Sequence, residues 1–203
     1  MDTNPRHLDP RYRAALLFGA VINGLAAVAE GTVGFWIGSA ALIADAADFI
    51  EDAGAYSLAI VAIGWAVRRR ARVTLVMAAA MALVGAVALW QAWQHVQQGI
   101  APSALPMAAT AIVAFAVNVA SAVRLGKWRH GDAGMRTIWL STRNDAMLNL
   151  VVLAAALATA ASFSAWPDIA AGVAIAAVNL WAAVTIGWQA WRGAARLAVR
   201  GGR

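Results

Sequence analysis

Cysteine is absent from this chain, which removes disulfides, thiolate metal centres and cysteine nucleophiles at the outset. Charge is nearly as scarce. Only 13% of the 203 residues are Asp, Glu, Lys or Arg, against 62% hydrophobic, and the mean hydropathy is +0.67. A water-soluble domain of this length carries more charge and shorter apolar runs. Histidine occurs only at His7, His95 and His130, and no H-E-x-x-H sequence is present. With no metallohydrolase helix, no cysteine and no serine–histidine pairing at depth, an intramembrane enzyme is not expected. Low-complexity linkers and internal repeats are also missing.

What remains is apolar sequence in lengths that fit a bilayer, whose core of about 30 Å takes about 20 residues of helix. Six spans are predicted, at 14–38, 39–67, 73–98, 104–124, 136–162 and 167–191. The breaks between them read "IGSA", "RRRAR", "QQGIAPSALP", "RLGKWRHGDAGMR" and "SFSAWPD". The predicted fold class is an all-α membrane protein, a six-helix transmembrane bundle. It divides into an N-terminal tail (1–13), a transmembrane domain (14–191) and a basic tail (192–203), with no C-terminal cytoplasmic domain expected. The first span is too long for a cleaved signal peptide, contains Glu30, and follows a segment carrying Asp2 and Asp9.

The formal charge of +6 matters less than its placement. Fifteen of the sixteen lysines and arginines fall in the two tails, "RRRAR" and the 124–136 loop, and none falls in the loops of the opposite side. The positive-inside rule therefore puts both termini in the cytoplasm. Tryptophan agrees, with nine of ten near span ends and only Trp181 mid-span, as in an aromatic belt. Arg143 is the one basic residue left inside a span.

Six acids lie in the interior of spans: Glu30, Asp45, Asp48, Glu51, Asp52 and Asp145. A lone carboxylate at mid-bilayer costs about 2.5–3.5 kcal/mol on insertion scales, so such groups must line a polar cavity, pair with a cation or bind protons. At 100° per residue, Asp45, Asp48, Asp52 and Tyr56 share an arc of about 80° on the second helix. On the fifth, Ser141, Asp145 and Asn149 form a stripe with Thr142 beside it, while Arg143 points to nearly the opposite face. Asp48 and Asp145 each lie about 14 Å from a span end, so the geometry lets Asp48, Asp52 and Asp145 converge between two helices. Three carboxylates in low dielectric cannot all stay ionised without a cation, and protons or a divalent metal would both serve. Glu30 and Arg143 are expected to form a structural ion pair. Asn23, Asn118 and Asn149 suit interhelical hydrogen bonding. Asp45 could cap or line a vestibule, and His95 is expected at the interface. Asp168 suits the positive end of the sixth helix.

The stretch "GSAALIADAADFIEDA" resembles the S-x-A-L-x-A-D-A-x-(H/D)-x-x-x-D motif of the cation diffusion facilitator family, with Asp48 and Asp52 at its two ligand positions. Asp145 matches the last acid of that family's (H/D)-x-x-x-D motif in the fifth span, but Ser141 stands at its first position. The resemblance implies export of zinc, cadmium, cobalt, iron or manganese in exchange for protons, by alternating access. It implies a metal site of Asp48, Asp52 and Asp145, with Ser141 and Asn149 available to complete it. An all-oxygen set suits harder ions such as manganese, although a tetrahedron for zinc or cobalt could be completed by Ser141, Asn149 or water. The divalent cation is substrate and protons the coupling ion; no organic cofactor and no nucleic-acid partner are expected. The expected setting is the inner (plasma) membrane. The family's usual dimerising domain is not seen in the sequence, so a homodimer would be held by its transmembrane helices. The alternative is a membrane subunit or sensor that binds metal without transporting it; an ion-conducting pore is a weaker one.

Overall fold

The computed structural model describes residues 10–61, 65, 67–130 and 133–200. Its helices are α1 (Pro10–Ile37), α2 (Ala40–Val61), α3 (Val67–Gln98), α4 (Ala104–Leu125), α5 (Ala133–Ser162) and α6 (Trp166–Arg200), with a 3-10 turn at Gly126–Trp128. No strand occurs among the described residues. A backbone in hydrocarbon must satisfy its own N–H and C=O groups, and a helix does so within one segment.

The turns are short. Gly38, at φ +75°, makes the α1–α2 reversal in a conformation that side chains rarely adopt. Gly99, at φ +66°, ends α3 and donates its N–H to the His95 carbonyl at 2.8 Å, a left-handed helix stop. Three boundaries differ most from the sequence reading. Helix α2, expected to reach 67, ends at Val61, with Trp65 outside any helix and Val67 already opening α3. "RRRAR" (68–72) is not a loop but the opening turns of α3, consistent with arginine's good helix propensity. Helix α6 runs past the expected end at 191 to Arg200. The expected tail residues 1–9 and 201–203 lie outside the described residues.

Five helices are long and apolar enough to cross a membrane: α1, Ala71–Gln98 of α3, α4 with its 3-10 turn, Met135–Ser162 of α5 and Trp166–Arg192 of α6. The sixth, α2, carries Asp45, Asp48, Glu51 and Asp52 in 22 residues and is sheathed by the other helices. Twelve of its 22 residues are buried, against seven of 28 in α1. Helix α2 packs on α1, α3, α5 and α6, while α3 also pairs with α6, α4 with α5 and α1 with α4. The outward faces are apolar, with Leu25, Val28, Trp36, Leu105 and Trp181 exposed where lipid would lie.

Small residues set the spacing around α2. Ala41, Leu42, Ile43 and Ala44 share a core with Met107, Ala111, Val152, Ala156 and Ile175. Gly172 of α6 sits so close that an added Cβ would fall 2.6 Å from the Ala40 carbonyl carbon. In lipid, where hydrophobicity does not drive helices together, such close packing is a main source of association. Clusters at the two ends fix the directions of the helices. Tyr12, Tyr56, Leu125 and Met135 meet at one end; Ala40, Ala92, Ala165 and Ile169 meet at the other.

Candidate metal site

A column of polar side chains runs along the buried face of α2. Asp45, Asp48, Asp52 and Tyr56, which the helical period placed together, are all buried, Asp48 at 8% and Asp52 at 2% exposure. Facing them is α5, antiparallel and pinned at two levels. At the first, Asn149 donates its Nδ2 to Asp45 Oδ2 at 2.5 Å, and Asn118 of α4 donates to Asn149 Oδ1 at 3.0 Å. At the second, Tyr56 Oη and Thr142 Oγ1 lie 3.1 and 3.2 Å from Asp52 Oδ2, and the two hydroxyls also hydrogen-bond each other.

Asp52 lies seven positions after Asp45, and Asn149 seven after Thr142, about 10.5 Å of helix in each case. The register therefore brackets Asp48 and Asp145 between the two pinned levels. Asp145 lies in electrostatic reach of Asp48 and Asp52, with Ser141 one turn back on the same face of α5. Asp48 Oδ2 is buried and has no hydrogen-bond partner. Among the described residues no three His, Asp or Glu side chains are arranged as they stand to hold one metal ion. Asp52 is engaged by two hydroxyls and Asn149 by two amide bonds, so ligation by either requires letting a present partner go.

Glu30 is buried beside Asp45, not beside Arg143. The expected ion pair is thus corrected: Arg143 is exposed, donates to Asn144 Oδ1 at 3.4 Å and lies 5.5 Å from the Trp139 ring centre. An arginine on an outward face can carry its charge along the surface towards water, which a buried pairing would forbid. Both Glu30 oxygens and Asp45 Oδ1 lack a conventional donor. Two ionised carboxylates cannot donate to each other and would repel at this distance from water, so the Glu30–Asp45 contact calls for a neutralising partner.

Three other expectations resolve at this point. His95 lies in the last turn of α3, at the span end where it was expected, and is buried against the α1–α2 turn at 6% exposure: a Cβ on Gly38 would meet its Nε2 at 2.7 Å. Asp168 does cap a helix, but it caps α2. Its carboxylate accepts from Ser39 Oγ at 2.6 Å, Ala40 N at 2.8 Å and Ala41 N at 3.2 Å. Asn118 acts as interhelical glue, as does Asn23, which donates to Ser121 Oγ at 3.2 Å. Sequence reasoning passed over Thr142 as a site residue. Its place beside the Ser141 stripe was the available signal.

These features define a class: a multi-pass, all-helical membrane protein whose most acidic helix is its most enclosed one. The particular family follows from comparison. Residues 16–192 match the family described as the cation efflux transmembrane domain, and the chain belongs to that family, the cation diffusion facilitators, which are metal-cation efflux transporters. No curated protein gives a significant match.

Proposed function

We propose that this protein exports a divalent transition-metal cation from the cytoplasm in exchange for protons. Asp48, Asp52 and Asp145 hold the ion, and Ser141 and Asn149 line the same pocket. The observation that carries the reading is the α2–α5 register, which confronts Asp48 with Asp145 and leaves a buried Asp48 oxygen without a partner. In low dielectric that arrangement is stable only with its charge neutralised, by protons or by the metal. Each can displace the other, which is the chemistry of exchange.

The donor set is all oxygen and fits manganese, cobalt, zinc, iron or cadmium in an order that titration would establish. Metal entering from the arginine-rich end meets Tyr56 first, because α2 runs towards that end. Tyr56 and Thr142 close over Asp52 there, so their separation opens the site on that side. The positive-inside rule makes this side cytoplasmic and both termini with it. The inner (plasma) membrane and a homodimer held by transmembrane helices complete the reading.

The test is metal-driven proton flux in proteoliposomes. Asp48→Ala and Asp145→Ala are each expected to abolish flux while the purified variant still elutes as a folded species. Wild-type flux in both variants would refute the assignment. Stoichiometric metal binding by the wild type with no flux would favour the binding subunit or sensor.

A further inference from the structure

The arginine-rich end of the bundle carries a feature that ion transport does not use. Two cavities open side by side on its flank and share Val123 and Lys127 as lining residues. The larger, about 670 Å³, lies between α1 and α4, with Arg11, Arg124 and Lys127 as its cationic side and Phe18 and Val123 among its apolar walls. The smaller, about 580 Å³, lies between α4 and α5 and is bounded by Lys127, Arg129, His130 and Trp139. Both fall within the range of about 300–1,000 Å³ typical of small-molecule sites. Among the described residues, no carboxylate lines either one.

The walls are built rather than incidental. The Arg124 guanidinium sits 4.6 Å over the Phe18 ring, which lays its aliphatic stem along the α1–α4 groove. Trp128 packs against Tyr12 with ring centres 5.3 Å apart. The Trp139 indole donates to the Ala122 carbonyl at 3.0 Å, tying α5 to α4 below the second cavity. Val123, at 73% exposure, shows that this flank faces the bilayer and not the bundle interior.

Topology alone would ask only for arginines at this end, as Arg69 and Arg192 illustrate. Each sits over a neighbouring tryptophan ring, 4.0 Å from Trp65 and 3.5 Å from Trp188, and lines neither cavity. Arg124 and Lys127 instead rim a hollow whose floor is apolar and continuous with the lipid-facing surface. A cationic rim above an apolar floor at the membrane surface matches one amphipathic molecule, an anionic phospholipid.

We infer that the α1–α4–α5 flank binds an anionic phospholipid. Its phosphate sits between Arg124 and Lys127, and an acyl chain runs over Phe18 and Val123. This binding is separate from the carboxylate site and does not depend on the transport assignment.

The test uses the delipidated full chain in detergent, titrated with phosphatidylglycerol or phosphatidylcholine of matched acyl chains and read by native mass spectrometry. The wild type should prefer phosphatidylglycerol, each cationic side chain contributing about fivefold. In Arg124→Gln/Lys127→Gln the preference should fall by about 25-fold. Arg69→Gln/Arg192→Gln, which removes the same charge from the same end, should retain it. Should the double variant not fold, Lys127→Gln alone changes an exposed turn residue and should still cost about fivefold. Equal binding of the two lipids by the wild type would overturn the inference, as would an equal loss in the control variant. Inorganic phosphate at tens of millimolar should not displace the lipid; displacement would assign the rim to a free anion and refute the lipid.

Discussion

The two ends of α2 are held by opposite means. At its start, backbone meets backbone: Gly172 of α6 abuts Ala40 and Ala41, and Asp168 takes up the Ser39 hydroxyl and two free N–H groups. Towards its other end, beyond Asp52, the grip is by side-chain hydroxyls, Tyr56 and Thr142 meeting over that carboxylate. A close backbone fit has no second arrangement available without moving a whole helix. Hydroxyl contacts exchange for water at a net cost of about 1 kcal/mol each. The start of α2 is therefore the more rigidly held end, and on the proposed exchange mechanism its Tyr56 end is where access to the site would change.

The largest effect should come from spoiling the rigidly held end. Gly172→Ala places a Cβ 2.6 Å from the Ala40 carbonyl carbon and 2.8 Å from Ala41 N, neither of which can swing aside. Overpacking of this kind costs about 1–3 kcal/mol or more, and Gly172→Val should leave little folded protein in a size-exclusion profile. By contrast Gly54→Ala meets only the tip of Met77, which can rotate away. Equal yields of Gly172→Val and Gly54→Ala would break the comparison.

Asp168→Ala comes next. It keeps the close fit but leaves the N–H groups of Ala40 and Ala41 and the Ser39 hydroxyl without their acceptor, at the positive end of α2. An unsatisfied buried donor costs about 1–3 kcal/mol. The expected loss is about 3 kcal/mol in total, or about 6–12 °C in thermal midpoint for a chain of this size. Asp168→Asn retains one acceptor oxygen and should fall between. A midpoint unchanged in Asp168→Ala would show that the α2 start is held by packing alone.

How these ends differ was only partly legible in the sequence. Helical period correctly put Asp45, Asp48, Asp52 and Tyr56 on one buried face, because phase along a helix depends on local spacing alone. The length of apolar runs gave all six helices, with errors around "RRRAR" and at the end of α6, where arginine suits both loop and helix. What phase cannot give is which neighbour a face meets. Glu30 was matched with Arg143 by charge complementarity, yet α1 turns it to Asp45, another acid. Asp168 was read as serving its own helix, since nothing in a linear sequence says that α6 begins beside the start of α2. Thr142 was seen beside the stripe but not as a partner, because its contact depends on the α2–α5 register.

The smallest effect is the sharpest probe of the Tyr56 end. Tyr56→Phe removes one hydroxyl and keeps the ring, which packs against Gly19 so tightly that a Cβ there would lie 2.8 Å from it. The loss should be about 1 kcal/mol, or about 2–4 °C. Thr142→Val removes the facing hydroxyl and should cost a similar amount. Because both hydroxyls act on the same Asp52 oxygen and on each other, the double variant should cost less than the sum of the two single losses. Residues sharing one network show coupling of about 0.5–3 kcal/mol in such cycles. Strict additivity would mean that the two hydroxyls do not meet in the folded protein. The Tyr56 end would then lack the clasp that sets it apart from the Asp168 end, and the route to Asp52 would have to open elsewhere.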